Sequence, residues 1–482
     1  MNAPRYHSIL NIRKLLYIIS LITALISFIC CFGNVRIVKG FEYISLLPMI
    51  FLLFSVFLYL QLTVSSKRGK NGLITVHIFV TLQWLRLVVL PLLGSISGYF
   101  ENYGFYVNQK SAYLSTFLIC FEAVITFIFC IIVLRHIERR KEDYKGEMEL
   151  LGNRYIYILF ILISLMFFIV SDEKQYDFIL IDLSEERVST SVDGSAIAAI
   201  IDYGLTFVII LFFNWCYKNF RVSRKKRYLY YALLCAIIRL CLISSEGRMS
   251  QVYLLGAFLL LLPLLFPEYK KRIRTSIMII AVIVIGLMTV YKVFAAFLYD
   301  SYIEAITASS FDLYDMSTQI DVYFYGAKTI ARNIEFSSQS SLSIVHLFFD
   351  LFRNTFGVHY FFKELDYSTL EYYNLFLYSG SSTSGHLLSS IAYGMQYFGI
   401  LLAPICTCIN IWLSVWVEKK IHQIKYIDVY YIVSILFIRL SLSIFSNFMQ
   451  TWNVVSRTFV IGMIVIGCSA IFKRRWRSGV NK

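Results

Sequence analysis

Apolar residues follow one another along this chain in long, almost unbroken stretches separated by short polar connections. A stretch of roughly 20 apolar residues is long enough to cross a hydrocarbon core of about 30 Å as a helix. A membrane β-barrel would alternate polar and apolar positions, and the run at 252–266 does not. We therefore predict an all-α polytopic membrane protein with about twelve transmembrane helices. They are expected at 15–33, 43–64, 73–93, 113–134, 155–171, 196–217, 228–245, 249–267, 276–299, 390–417, 428–446 and 456–472.

A long hydrophilic interval, residues 300–389, interrupts the apolar pattern between the ninth and tenth predicted helices. We expect residues 1–299 to form transmembrane helices with short loops, and residues 390–482 to form the last helices and a basic tail. The interval itself is predicted to be a large loop. Because it holds polar and titratable side chains in an otherwise apolar chain, we expect it to contribute to the functional site.

Residues 343–354 within this loop show the period of an amphipathic helix. His346, Asp350 and Arg353 share one face because they lie at positions i, i+4 and i+7. The opposite face is apolar and carries Ile344, Leu347, Phe348 and Leu351. We expect this helix to lie flat on the membrane surface or to cover a cavity.

Basic residues concentrate in alternate connections between the predicted helices. About two thirds of the 45 Lys and Arg residues fall in the connections that face the cytoplasm if the N-terminus does. Cytoplasmic loops of membrane proteins carry such an excess. We therefore predict that both termini are cytoplasmic and that the loop at 300–389 is extracytoplasmic. This topology accounts for the net charge of +15, and no nucleic-acid partner is required.

Composition agrees with this interpretation, since 58% of the residues are hydrophobic and only 16% are charged. Soluble domains carry about 25% charged residues. All ten cysteines lie in apolar stretches without metal-ligand spacing, so neither a disulfide framework nor a metal site is predicted. The stretch at 15–33 lacks a small-residue cleavage site, and we interpret it as a retained helix rather than a signal peptide.

Ionisable residues inside the predicted helices are functional candidates, because a charge within a bilayer is costly. They are Arg86, Glu122, Asp202, Arg239, Lys292 and Arg439. Two interpretations stay open. These side chains either pair with one another, for instance Glu122 with Arg86 or Arg439, or leave cations that converge on a cavity. The second arrangement suits a diphosphate, and Arg248, at the end of a short turn between two helices, is the best-placed additional cation.

Histidine is the side chain best suited to accept a proton at neutral pH, and the loop contains three: His346, His359 and His386. His386 follows a Ser/Gly-rich run and directly precedes a predicted helix, which places its ring near the membrane surface. The alternative is that this histidine is simply exposed to solvent and has no catalytic role.

The sequence contains no phosphate-binding loop, zinc-protease motif or nucleophile elbow, so we expect a substrate that is membrane-embedded or outside the cell.

Two local patterns, together with the overall architecture, resemble the Wzy-type polymerases of O-antigen and capsular polysaccharide and the related O-antigen ligases. The Ser-Ser-Glu-Gly-Arg-Met run at 244–249, which opens a long apolar helix, is similar to a Ser-Arg-Gly-like turn of that family. The run from His386 through Gly394 and Gly399 is similar to a histidine that leads into a helix with two spaced glycines. The chain departs from the family pattern at Leu387, where an asparagine is frequent, and at Glu246 and Gly247, which precede the arginine.

This resemblance implies an enzyme of the cytoplasmic (inner) membrane that polymerises undecaprenyl-diphosphate-linked oligosaccharide repeat units on its outer side. It implies His386, with His359 as second choice, as the base that deprotonates the acceptor hydroxyl. The implied diphosphate-binding residues are Arg248, Arg353, Arg239 and Arg439. His346 and Asp350 would form the polar face of the loop helix. No metal or other cofactor is implied, because arginine is always charged. A chain-length regulator and a flippase are the implied protein partners.

A lipid-linked oligosaccharide flippase or another transporter is the main alternative of a different class, because a cationic cavity suits it equally well. The long loop and the unlike halves of the chain favour the polymerase. An O-antigen ligase, another lipid-dependent glycosyltransferase and a purely structural membrane protein also remain open.

Overall fold

The computed structural model describes residues 5–67, 73–136, 147–171, 176–179, 196–243, 248–297, 301–308, 312–362, 365–378 and 386–480. The helices of the first half are α1 (Arg5–Gly33), α2 (Leu46–Lys67), α3 (Ile74–Trp84), α4 (Leu90–Ile96), α5 (Gln109–His136), α6 (Arg154–Val170), α7 (Ala196–Ser223), α8 (Arg227–Cys241), α9 (Arg248–Leu265) and α10 (Lys270–Phe297). The second half forms α11 (Tyr302–Ala308), α12 (Leu313–Phe324), α13 (Ala327–Gln339), α14 (Ile344–Arg353), α15 (Thr369–Tyr378), α16 (Ser390–Phe398), α17 (Ile405–Ile421), α18 (Ile427–Leu442), α19 (Phe448–Arg457) and α20 (Ile464–Val480). Two short strands, β1 (Asp177–Phe178) and β2 (Leu242–Ile243), pair antiparallel.

Eight helical stretches in the described ranges are long and apolar enough to cross a membrane. They are Leu15–Gly33, Glu42–Thr63, Ile74–Ile96, Gln109–His136, Ile197–Ser223, Pro267–Tyr291, Ile400–Ile421 and Thr451–Arg474. Arg154–Val170 and Met249–Leu265 are shorter apolar helices. Because helices satisfy their own backbone hydrogen bonds, they suit a bilayer interior. The chain is therefore an α-helical membrane protein, whereas the number of twelve spans and their orientation stay predictions.

The helix predicted at 390–417 is broken, so that part of the prediction is wrong. Helix α16 ends at Phe398, Gly399 adopts a φ of 76°, and α17 begins only at Ile405. The chain also folds back closely on itself, because a Cβ placed on Gly394 would lie 2.2 Å from the carbonyl oxygen of Ala403. One glycine therefore permits a left-handed break and the other permits close packing of the backbone.

The interval at 300–389 is largely helical in its described part, where it contributes α11 to α15. Asp312 caps the start of α12 by accepting a hydrogen bond from the amide of Asp315. Helix α13 packs against α5, and its apolar residues Ile330 and Ile334 join the hydrophobic core around α2 and α5. Part of this polar interval is thus an internal element of the helical assembly.

The chain forms two compact units, each assembled from separate sections. The first comprises Met1–Lys141, Phe311–Glu418 and Leu440–Asn453, and the second comprises Glu142–Ser310, Lys419–Arg439 and Val454–Lys482. The core of the first unit is aromatic, and the rings of Phe51 and Phe79 both contact the ring of Phe127. Buried charged side chains occur in each unit, among them Arg86 in the first and Arg239 in the second.

Candidate functional site

An ion pair in the second unit joins two of the predicted intramembrane residues. Nη2 of Arg239, on α8, lies 3.0 Å from Oδ1 of Asp202, on α7. Nη1 of the same arginine donates to the carbonyl oxygen of Leu242, directly after the end of α8. Gln251 Nε2 donates to that same oxygen at 2.9 Å. The shared acceptor therefore fixes the end of α8 against the first turn of α9.

Helix α9 begins at Arg248, and residues 244–247, which precede it, lie outside the described residues. The first amides of a helix lack intrahelical partners and carry the positive end of its dipole. The α9 terminus therefore adds partial positive charge near Arg239. The side chains of Arg248 and Lys292 lie outside the described residues.

Two further arginines, Arg457 and Arg439, lie close enough to Tyr203, the residue after Asp202, for their charges to act on it. Tyr176, just before β1, donates a hydrogen bond to Asp202 Oδ1 at 3.4 Å. Burial, followed by the charge of Asp202, raises the pKa of this phenol, whereas Arg239 and Arg457 act in the opposite direction. On the neighbouring helix α7, Tyr203 experiences the charges of Asp202, Arg457 and Arg439. We call Arg239, Arg439, Arg457 and Asp202 the arginine cluster.

The arginine cluster holds three guanidinium groups and one carboxylate. The guanidinium of Arg439 lies 5.0 Å above the centre of the Tyr253 ring. Arg457 ends α19, where the helix passes into a π-helical stretch, Thr458–Met463. Within the ranges that the structure describes, Arg457 forms no hydrogen bond or ion pair. Arg457 is therefore a cation of the cluster without a described counter-charge, which favours an anionic ligand.

Arg86 in the first unit differs from Arg457, because its positive charge is compensated by a carboxylate. Its Nη1 lies 2.6 Å from Glu122 Oε2, and its Nε donates to the carbonyl oxygen of Tyr325 at 2.8 Å. Thr407 donates to the other carboxylate oxygen of Glu122. Arg86 and Glu122 are both fully buried. Of the two pairings considered for Glu122, the structure contains the one with Arg86, and this pair connects helices of the first unit.

The polar face of α14 packs inward. Asp350 is buried and accepts hydrogen bonds from Thr369 N, Thr369 Oγ1 and Tyr393 OH. Burial raises the pKa of this carboxyl, although these hydrogen bonds oppose the rise. His346 lies between two carboxylates, 3.8 Å from Asp350 and 3.7 Å from Asp366. His346 and Asp350 share one face as expected, but Leu347 and Leu351, which were predicted on the opposite face, also pack inward against a hydrophobic core.

The outer face of α14 is apolar, with Ile344, Val345 and Phe348 more than half exposed. Arg353, at the end of the helix, forms an ion pair with Glu371 at 2.9 Å. Its charge is therefore already compensated, and we do not include it in the arginine cluster, to which it was expected to contribute. An inward polar face and an outward apolar face suit a helix in contact with lipid.

His386 and His359, both in the first unit, have separate surroundings. The carbonyl oxygen of His386 accepts a hydrogen bond from Asn374 Nδ2 at 3.4 Å, and its ring centre lies 5.5 Å from that of Tyr378. His359 stands in a short 3-10 turn, with its ring centre 4.0 Å from that of Tyr360. The Ser/Gly run at 379–385 lies outside the described residues. His386 is half-buried, so its ring is partly accessible.

Two cations on α13 were not among the predicted site residues. Lys328 is buried, donates to Asn102 Oδ1 at 2.9 Å, and lies 3.9 Å above the Tyr99 ring. Burial lowers the pKa of Lys328 to about 8. One turn later, Arg332 buries its Nε without a hydrogen-bond partner in the described part of the chain. The spacing of these cations at i and i+4 was visible in the sequence but could not indicate burial.

Comparison with known proteins identifies no relative: no family model, curated protein or solved structure matches this chain. Among the described residues, no group of three or more His, Cys, Asp and Glu side chains is arranged to hold a metal ion. Arg239, Arg439 and Arg457 supply the arginine cluster with fixed positive charge and hydrogen-bond donors.

Proposed function

We propose that this protein is a membrane glycosyltransferase that polymerises oligosaccharide repeat units carried on undecaprenyl diphosphate. The observation that carries the proposal is the arginine cluster on helices of the second unit, in which Arg457 has no hydrogen-bond or ion-pair partner among the described residues. A lipid-linked diphosphate supplies the missing negative charge and carries a hydrocarbon tail that suits a membrane-embedded site.

The chemistry of arginine explains how the cluster would act on such a substrate. Guanidinium groups bind phosphate oxygens through paired, charge-assisted hydrogen bonds. These interactions strengthen as negative charge develops on the departing diphosphate, and such electrostatic stabilisation is usually the largest catalytic contribution. Asp202 would hold Arg239 in position, while Arg457, which has no described partner, would contact the diphosphate directly. Arg248 and Arg439 are proposed as further ligands of the diphosphate.

The proposed reaction is a single glycosyl transfer. A hydroxyl oxygen of the lipid-linked acceptor attacks the anomeric carbon of the donor glycan, and a new glycosidic bond forms. The bond between that carbon and the diphosphate oxygen breaks, and undecaprenyl diphosphate departs with both electrons. The hydroxyl proton passes to a histidine, for which we propose His386 and, as second choice, His359.

The proposed topology supports an outward-facing reaction. With twelve spans and cytoplasmic termini, Asp202, Arg239, Arg439 and Arg457 all belong to the outer halves of their predicted helices. The lipid-linked substrates would then be reached after transfer across the cytoplasmic membrane. A flippase that delivers them and a chain-length regulator are the proposed partners.

Substitutions in cells test this proposal in a strain whose surface glycan depends on this protein. We expect Arg457→Gln and Arg248→Ala to abolish polymer while leaving single-repeat glycan on the surface, because only the polymerising step is lost. Arg221→Gln is the control, since it removes an exposed arginine that pairs with Glu147 in the same unit. Normal chain-length ladders from both cluster variants, at normal protein levels, would contradict the assignment.

The break at Gly399 favours a second candidate, a lipid-linked oligosaccharide transporter, because transporters use discontinuous helices at their binding sites. Deletion of the gene separates the two functions. Loss of a polymerase leaves single repeats on the cell surface, whereas loss of a transporter leaves lipid-linked repeats on the cytoplasmic side.

A further inference from the structure

A groove of about 530 Å³ lies in the second unit, where α8 and α10 begin. Its basic side is formed by Lys226, Lys271 and Arg272, and its apolar side by Leu229, Leu233 and Ile273. A groove with one cationic and one apolar side suits a ligand that is itself amphipathic.

The positive charge of the groove is not neutralised by described acidic side chains. Lys226, Lys271 and Arg272 are exposed, and none forms an ion pair within the described ranges. Nearby Arg224, in contrast, pairs with Glu268. Three uncompensated cations at one opening favour an anion over a neutral ligand.

Two helix N-termini reinforce this preference. Helix α8 begins at Arg227 and α10 at Lys270, both beside the basic side of the groove. The positive ends of the two helix dipoles therefore meet the same opening as the basic side chains, although the amides of Tyr228 and Lys270 already donate to backbone carbonyls. Phosphate is the anion for which this combination is best suited.

The apolar side continues along the two helices as exposed hydrocarbon. Leu234 and Ile238 on α8, and Met278, Ile279 and Val282 on α10, are all exposed. Helix α10 belongs to the apolar stretch Pro267–Tyr291, so its basic beginning lies at the boundary between membrane and water. A ligand with a phosphate at this boundary and a chain along the helices matches both parts of the surface.

We propose that this groove binds an anionic glycerophospholipid. Its phosphate would lie among Lys226, Lys271 and Arg272, and one acyl chain would follow Leu233 towards the exposed Leu234 and Ile238. Basic pockets between transmembrane helices bind anionic lipid headgroups in this way. The site is independent of the glycosyl-transfer proposal, because its residues take no part in the arginine cluster.

Native mass spectrometry of the purified full-length protein, titrated with phosphatidylglycerol or phosphatidylcholine, tests the site. Each basic residue near a membrane surface contributes enough attraction for about a fivefold change in affinity. The triple variant K226Q/K271Q/R272Q should therefore lose at least about fivefold in phosphatidylglycerol binding. The control K218Q/K419Q/K420Q removes the same charge from exposed positions of the same unit and should keep wild-type binding.

A second variant separates a lipid site from a simple phosphate site. Leu233→Trp fills the apolar side without changing the charge, and it should weaken phosphatidylglycerol binding while thermal stability stays at the wild-type value. Inorganic phosphate in millimolar excess should not displace the lipid. Equal binding of phosphatidylcholine, equal loss in the control triple variant, or full displacement by inorganic phosphate would each overturn the proposal.

Discussion

Individual charged side chains within the apolar helices differ in whether the chain itself compensates their charge. Arg86 has Glu122 at 2.6 Å, whereas Arg457 has no ion-pair partner among the described residues. The sequence showed Arg86, Glu122 and Asp202 as costly intramembrane residues, but it could not show which of them pair, because pairing depends on how helices pack. Arg457 was missed because it lies at the very beginning of its predicted helix.

Replacing Glu122 tests the structural role of the pair in the first unit. Glu122→Gln leaves the buried Arg86 without its counter-charge and should destabilise the protein by about 3–5 kcal/mol. Arg36→Gln is the control, because its pair with Glu101 is exposed at 4.0 Å and should contribute less than about 1 kcal/mol. The measurement is thermal unfolding in detergent, and equal effects of the two substitutions would show that the buried pair has no special role.

Lys328 makes stability depend on pH. Its pKa is about 8 in the folded protein and 10.5 in the reference state, so the unfolded chain binds the proton more tightly. Stability should therefore rise between about pH 8 and 10.5, and burial of the charged form should cost stability below that window. In Lys328→Met this increase in stability between about pH 8 and 10.5 should be absent, because methionine does not titrate. A melting temperature with the same pH dependence in both proteins would show that Lys328 does not titrate in this window.

Helices and their breaks were predictable to different extents. The apolar stretches predicted at 15–33 and 73–93 correspond closely to Leu15–Gly33 and Ile74–Ile96, because continuous apolar sequence suffices to identify a membrane helix. The break after α16 was missed, since hydropathy does not register the φ of Gly399. Helix α13 was missed as an internal element because its buried polar residues, including Asn333 and Lys328, find partners only in the folded chain.

A glycine substitution tests the close packing that follows α16. Gly394→Ala puts a methyl group where the carbonyl oxygen of Ala403 lies 2.2 Å away, so that backbone must move. We expect a loss of a few kcal/mol, as overpacking usually costs about 1–3 kcal/mol. Gly286→Ala in α10, where nothing lies within 4 Å, should be neutral or stabilise by up to about 1 kcal/mol. Similar melting temperatures for the two variants would argue against this packing.

At the scale of the whole molecule, the sequence was sufficient to predict the class of protein. It was not sufficient to predict which sections of the chain fold together into one compact unit. An α-helical membrane protein follows from apolar stretches alone. The two compact units each combine sections that are far apart in the sequence, and no local pattern encodes such pairings. The arginine cluster depends on that grouping, because Asp202, Arg439 and Arg457 come together only when distant sections of the second unit meet.

The rate of polymer formation by the purified protein in lipid vesicles tests the central claim most directly. Undecaprenyl-diphosphate-linked repeats are supplied, and the glycan ladder and the released lipid diphosphate are measured together. Arg457→Gln is the most informative variant. Arg457 pairs with no described carboxylate, so its replacement does not leave a carboxylate unpaired. Loss of one such electrostatic donor should slow the reaction by about 10²–10³-fold, whereas Arg221→Gln should match the wild type. A rate for Arg457→Gln within about twofold of the wild type would contradict the account.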